Sequence, residues 1–546
     1  MKKLILLAAL LCAVSPIAGK TYPKDVQPVK NVILMIPDGT SIGVVSASRW
    51  YKFYNRQDNR LNIDPYICGT VQTFSSNAPI GDSAPTTSCY MTGVPQQTGN
   101  VAIYPVADPS NDLYPVNPDM AYQPLVTILE AARIEQNKAT GLVVTCEFPH
   151  ATPADCSAHY YSRGAYDKLA PQMAYNNLNV MFGGGNGILT DDIKQHFAAN
   201  GTTLLQDDLT AFRNYSGDRV WALWGDRALP YDLDRDPAQV PSLEEMTRKA
   251  LDILSKNENG FFLMVEGSQV DWAAHANDPV GCIGEFLAFD KAVGAALEFA
   301  REDGNTAIVI LPDHGNSGFT IGRRDLPSYD KASIDKLFGG VSKIKRTSQG
   351  LEQLLLQEKP DRLKDVFRSY TGIELTDEDI KALTGSKNYK LDDYMKASES
   401  KSMGNVITGI INRHLWFGFT SGGHTGEEVF LAAYHPQGTI PTGMNTNMQI
   451  NAYLFDVLGL KTPLTEQTRK IFAKHTDVFK GLEYKLDKSG KFPVLKVTKG
   501  KNKLEVPAFK SVASLNGQSF DLGSVTVYID KNNTFYLPSW LVEKLN

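Results

Sequence analysis

The chain has 546 residues, of which 42% are apolar and 21% charged. That is the balance of an ordinary globular protein, not of a disordered, fibrous or collagen-like one, and it is long enough for one large α/β domain or two to three smaller ones. The formal net charge is −5 and no basic stripe interleaved with aromatics is present, which excludes nucleic acid as a specific partner.

In chain order the first feature is a targeting segment. Lys2 and Lys3 precede an apolar run over 4–14, and SPIAGK supplies small residues for cleavage near Ala18 or Gly19. This is the pattern of a signal peptide over residues 1–19, and its apolar run is too short to span a membrane. The expectation is an exported protein, periplasmic or extracellular after cleavage, with no membrane span. Cys12 raises a lipoprotein reading, but Leu11 before it fits a lipobox poorly. Loss of Lys2 and Lys3 moves the charge from −5 to about −7. Beyond the leader stand Cys68, Cys89, Cys146, Cys156 and Cys282. An odd count leaves at least one free thiol in an oxidising compartment. They read as small buried hydrophobes, with a Cys146–Cys156 bridge left open.

VKNVILMIPDG (29–39) is a continuous apolar run ending in Asp-Gly, a buried strand with an acid at its carboxyl end. GDSAPTTSCYMTG (81–93) reads as a short helix, with Pro85 tolerated in its first turn and Gly93 at its stop. Hydroxyls at its start meet free backbone N–H groups, a place for an anion. A helix over 124–136 precedes a strand over 139–150, and ATPADCSAHYYSR (151–163) reads as a helix with proline in its first turn. Further strands are expected over 179–187, 260–267, 305–315 and 428–436, and further helices over 242–256, 282–302 and 450–459. This alternation predicts an α/β three-layer sandwich, a central mostly parallel sheet flanked by helices. Ligands then bind at the carboxyl ends of the strands. Residues 319–420 carry charged helical stretches and read as a helical insertion. Residues 466–546 alternate apolar and polar between Gly/Asn turns and read as a small C-terminal β-rich module. The organisation expected is a leader (1–19), a main domain (20–465, interrupted by 319–420) and an accessory module (466–546).

Acids and histidines gather where strands end. Asp38 closes one strand, Glu266 another, and Asp313 and His314 a third. Asp271 and His275 follow Glu266 at i, i+4, on one face of a helix. His424 stands in a glycine-rich loop before a strand. Each has an ordinary reading alone: an Asp-Gly turn, a surface pair, a helix cap. Together, at one end of one sheet, they read as a metal cluster, mixed Asp/His ligation suiting zinc and all-oxygen ligation magnesium.

NVILMIPDG, GDSAPTTSCYMTG, PHATPADCSAHYYSR, GFFLMVEGSQVDWAAHAND, NTAIVILPDHG and GGHTGEE resemble alkaline phosphatase motifs, in that family's order, across roughly residues 30–460 less the insertion. The resemblance implies a phosphate monoesterase with two Zn2+ and one Mg2+ per chain and a phosphoserine intermediate on Ser83. Asp271, His275 and His424 would hold the first zinc. Asp38, Asp313 and His314 would hold the second, with Ser83 as a fourth ligand or neighbour. Asp38, Thr152 and Glu266 would hold magnesium. Arg163 falls where the family places its phosphate-clamping arginine, and a guanidinium fork fits two phosphate oxygens. Metal, in place of a histidine base, would lower the pKa of Ser83. A homodimer is the family expectation.

The chain departs from the pattern at three places. Its first motif reads Pro37-Asp38-Gly39-Thr40-Ser41 rather than Gly-Asp-Gly-Met-Gly. His150 and Trp272 stand where some members have Asp and Lys, a pairing that other members share. His150 would touch the third metal through water or directly, so that site takes zinc or holds magnesium less tightly. Trp272 would wall the substrate pocket or simply pack. A sulfatase motif, Cys/Ser-x-Pro-x-Arg, is matched from Ser83 to Pro85 and fails at Thr87. Phosphodiesterase activity and a surface-binding protein with a residual metal core are the other readings. The latter rests on the tail VTVYIDKNNTFYLPSWLVEKL, which resembles small β modules that contact cell-surface components.

Overall fold

The computed structural model describes residues 22–23, 25–58 and 60–546. The leader-like segment 1–19, with Cys12, lies outside the described residues. Eight strands open the sheet in chain order: β1 (Asn31–Pro37), β2 (Ile67–Gln72), β3 (Ala139–Glu147), β4 (Val180–Gly184), β5 (Thr203–Gln206), β6 (Val220–Leu223), β7 (Phe261–Gly267) and β8 (Thr306–Ile310). Strands Val429–Tyr434 and Gly443–Thr446 complete it. Across the sheet the order is 443–446, β2, 429–434, β8, β1, β7, β3, β4, β6, β5. Only 429–434 runs against its neighbours, antiparallel to both β2 and β8.

Why the central strands read as unbroken apolar runs is visible in their alternation. Val32, Leu34 and Ile36 of β1 join Phe262 and Met264 of β7 in one core. Ile33 and Met35 join Phe261, Leu263 and Val265 in the other. The first core is closed by helices Ser83–Thr92, Ile128–Gln136 and Asn447–Leu458. Helices Ile42–Tyr54, Leu243–Leu254 and Pro279–Asp303 close the second, together with the insertion helices Ser348–Leu356, Leu363–Thr371 and Met403–His414. This is the three-layer α/β sandwich expected from the alternation.

The strands β2, β5, β6 and 443–446 were not expected. β2 (ICGTVQ) is mostly exposed along its length and lacks the apolar run that marks the central strands. β5 and β6 have four residues each, too short a run to stand out, although β6 (VWAL) is fully buried. The helix expected over 151–163 ends at Ser157. Its last carbonyls are taken by side chains: Thr127 Oγ1 donates to Cys156 O at 2.7 Å and Asn176 Nδ2 to Ser157 O at 3.0 Å. With those acceptors satisfied, another turn gains nothing. Ala158 is extended and Tyr160 bridges to Val101 instead, so Arg163 follows in a turn outside any helix.

After the main sheet come an antiparallel five-stranded sheet (483–521) and a three-stranded one (473–474, 527–529, 534–537). Leu495, Val497, Phe509 and Phe535 share the first core with β1 and β7. Asp530 accepts hydrogen bonds from Tyr160 at 3.1 Å and Tyr161 at 2.8 Å, so this region also braces the segment that carries Arg163. All five described cysteines are free thiols, which closes the Cys146–Cys156 bridge left open above. Among the described residues no helix is long and apolar enough to cross a membrane.

Candidate active site

β8, β1, β7 and β3 are adjacent and parallel, so their carboxyl ends bring distant positions together. Asp38 follows β1, through a turn at Gly39 where φ is +61°. A Cβ at Gly39 would stand 2.3 Å from Asp271 Oδ1, so only glycine lets the loop pass this close to the opposite carboxylate. Glu266 ends β7. The helix Gln269–His275 then places Asp271 and His275 one turn apart. Asp313 and His314 follow β8, and His424 lies on a two-residue strand paired with 315–316. Ser83 is the first residue of its helix and is buried.

These residues form three clusters, each with ligand atoms within 4.8 Å of one another: Asp38, Asp313 and His314; Asp271, His275 and His424; Cys146, His150 and Glu266. Ser83 Oγ lies 3.1 Å from His314 Nε2 and 3.4 Å from Asp38 Oδ1. Thr152, in the helix that His150 precedes, is fully buried with its hydroxyl unpartnered. The sequence offered Cys146 as a buried hydrophobe or as a bridge partner of Cys156; its thiol lies 3.5 Å from Glu266 Oε2.

The histidines bear on what the clusters could hold. His275 Nδ1 faces Gly422 O at 2.8 Å, His424 Nδ1 faces Gly81 O at 2.8 Å, and His314 Nδ1 faces Gly315 O at 3.0 Å. A carbonyl accepts only, so each Nδ1 carries a proton, and the neutral form of each ring would present the Nε2 lone pair to its cluster. His275 Nε2 and His424 Nε2 stand 3.1 Å apart, both lone pairs turned inward. Such a pair repels unless a cation joins it.

The carboxylates tell the same story. Burial, then the charges of Asp313, Asp271 and Glu266, drive Asp38 well above the usual carboxylate range. Burial, with Asp313 nearby, pushes Glu266 up to about 8. Burial and His314 hold His424 down to about 3, a neutral imidazole. Glu266 Oε1, Asp271 Oδ2 and Asp313 Oδ2 are buried without hydrogen-bond partners. Crowded acids, neutral imidazoles and orphaned oxygens are what divalent cations would neutralise, and the two Asp/His sets suit zinc.

Beside the clusters, Arg163 Nη1 pairs with Asp82. Against the pull of burial, Arg163 holds the Asp82 carboxyl low. Arg163 Nη2 lies 3.3 Å from His150 Nε2 and 3.2 Å from the hydroxyl of Tyr394. Burial and Arg163 bring His150 down to about 3. Trp272 stacks at a tilt against Tyr394, ring centres 4.9 Å apart, and meets His150 edge-on at 5.8 Å. Tyr394 comes from the insertion and went unnoticed in the sequence. It sits in a charged stretch, NYKLDDYMKASES, with no motif around it.

The family model described as alkaline phosphatase matches residues 29–460. Alkaline phosphatase 4 of Bacillus subtilis is 32% identical over 453 residues, covering 80% of this chain and 90% of that one. Among solved structures, a cold-active alkaline phosphatase from a psychrophilic Shewanella is similar with a TM-score of 0.67 at 24% identity, covering 78% of this chain and 99% of the other. The alkaline phosphatase of the Antarctic bacterium TAB5 is similar with a TM-score of 0.55 at 25% identity, covering 80% and 100%. A variant of that enzyme is described with Mg bound in its M3 site.

Proposed function

The chain belongs to the alkaline phosphatase family, and from that premise we propose that it is an exported phosphate monoesterase with Ser83 as nucleophile. The observation that carries this is the set of three imidazoles, each with Nδ1 on a backbone carbonyl and Nε2 turned into a cluster with Asp38 and Asp313 or with Asp271, beside the Ser83 hydroxyl, which lies 3.1 Å from His314 Nε2. Asp271, His275 and His424 would hold one zinc ion and Asp38, Asp313 and His314 a second. Glu266, Thr152 and Asp38 would hold magnesium, with His150 making zinc the alternative in that third pocket. Cations there would supply positive charge to lower the pKa of Ser83 and to stabilise the entering and leaving oxygens.

The residues of the chain do the rest. Ser83 Oγ, its proton released to solvent, attacks phosphorus in line, its P–O bond forming as the ester P–O bond breaks and the alcohol leaves with a proton from solvent. Water then attacks the phosphoserine, releasing inorganic phosphate and returning the proton to Ser83. Arg163 presents its fork to two phosphate oxygens, while the free N–H groups at the start of the Ser83 helix face the same charge. His150 and Trp272 line the substrate side. The leader-like residues 1–19 support export to the periplasm or beyond, and the main domain (20–465) would carry the activity with 466–546 as its accessory module.

Metal analysis of the purified protein, with p-nitrophenyl phosphate turnover for wild type and Ser83→Ala, tests the reading. The expected result is zinc and magnesium in the wild type and a loss of roughly a thousandfold or more in the variant. Near-normal turnover in Ser83→Ala removes the nucleophile assignment. Turnover indifferent to exhaustive chelation removes the mechanism.

A further inference from the structure

The insertion reaches the site through one short turn, Tyr394–Glu399. Ser398 packs on Gly422, the residue whose carbonyl orients His275: a Cβ at Gly422 would meet Ser398 Oγ at 1.8 Å. Tyr394 lies over the other side of the site. Its ring meets Trp272 and stands 5.6 Å from that of His275. Its hydroxyl lies 3.2 Å from Arg163 Nη2 and 3.0 Å from His150 Nε2.

Those contacts divide the work of the guanidinium. Arg163 has five N–H donors in a rigid plane. Asp82 takes one on Nη1 and the phenol oxygen takes one on Nη2. His150 Nε2 lies 3.3 Å from Nη2 but accepts nothing when it is itself protonated toward the phenol, and a second donor on each nitrogen then remains for two oxygens of a phosphate. An arginine held at one nitrogen still turns about its long stem. Held at both, it has lost that freedom before the ligand arrives. The phenol oxygen has two lone pairs and so also accepts from His150 Nε2 when that nitrogen is protonated. His150 Nδ1 is then left as a lone pair, and it is buried without a partner in the cluster with Cys146 and Glu266.

We propose that Tyr394 is a positioning residue for phosphate recognition: the insertion supplies it to clamp Arg163 opposite Asp82, and so sets the affinity for the phosphoryl group. This rests on the phosphatase reading above. The test compares full-length zinc- and magnesium-loaded wild type with Tyr394→Phe, which keeps the ring, and Tyr394→Ala, which does not. Competitive inhibition by inorganic phosphate and the kcat and KM for p-nitrophenyl phosphate are the readouts, each repeated in an Arg163→Ala background.

In Tyr394→Phe the phosphate inhibition constant rises about tenfold and KM rises with it, as expected for a lost hydrogen bond to a charged group. The loss in kcat is smaller than about threefold, and the melting midpoint stays within about 2 °C. With Arg163 already replaced by alanine, Tyr394→Phe has no further effect on phosphate binding. A phosphate constant within twofold of wild type overturns the proposal, as does an equal loss with and without Arg163. A fall in melting midpoint with phosphate binding intact also overturns it, because the hydroxyl then only packs. Failure of the wild type to bind phosphate removes the phosphatase reading itself, whereas a normal wild type with an indifferent Phe variant removes this proposal alone.

Discussion

Glu266 makes the metal-free protein sensitive to pH in a direction opposite to that of a salt-bridged carboxylate. Its carboxyl is fully buried, and burial with the charge of Asp313 nearby raises it from an ordinary 4.5 to about 8. A folded value above the unfolded one means that the folded state binds the proton more tightly. The contribution is therefore present in full below pH 4.5 and is lost as pH rises towards 8. The shift of about 3.5 units corresponds to about 5 kcal/mol at most, and Asp38, raised by the same crowding, adds in the same direction. A cation that binds the ionised carboxylates cancels the effect. The assay is a melting midpoint measured from pH 5 to pH 8.5 (roughly the span of the shift), with and without chelator. Chelated protein should lose stability steadily across that range, loaded protein should stay nearly level, and chelated Glu266→Gln should show a shallower slope than chelated wild type. A flat profile in chelated wild type, or the same slope in Glu266→Gln, refutes the reasoning.

Two further predictions concern packing. Thiol titration of the mature protein should count five reactive cysteines after unfolding, with or without prior reduction, since Cys68, Cys89, Cys146, Cys156 and Cys282 are all free; a count that rises on reduction would show a bridge. Asp530→Asn weakens the hold on Tyr160 and Tyr161 just ahead of Arg163. It should lower stability by about 1 kcal/mol and raise the KM for p-nitrophenyl phosphate more than it lowers kcat. Unchanged KM would mean that this brace does not reach Arg163.

The central strands and the acids that close them were legible because both faces of the sheet are buried. β1, β7 and β8 had to be apolar throughout, so Asp38, Glu266 and Asp313 stood out as the first charges after long apolar runs. The i, i+4 spacing of Asp271 and His275 was legible for a similar reason, since helix geometry is local. Arg163 was in register with the motif, but its backbone was misread. The helix before it is stopped by Thr127 and Asn176, which no local pattern reveals. β2 and β5 were hidden because they lack a continuous apolar signature. Tyr394 was hidden most deeply. Its significance comes wholly from where the insertion folds back, and a lone tyrosine among lysines and aspartates carries no periodicity to announce that.

The antiparallel strand 429–434 has a consequence for how the chain reaches this state. It lies between β2 and β8, so β2 cannot join the sheet until nearly the whole catalytic sequence exists. Until then β2 and β8 are unpaired edges, open to pairing with other chains, and the contacts that close them are long-range and slow to form. His424 lies just ahead of this strand and completes the cluster with Asp271 and His275. The strand that ties β2 to the rest of the sheet and the last member of the cluster with Asp271 and His275 therefore arrive together, and a cation bound there would be a late lock on an already threaded chain. Refolding in the presence of a chelator should stall at this step, with aggregation competing from the open edges of β2 and β8.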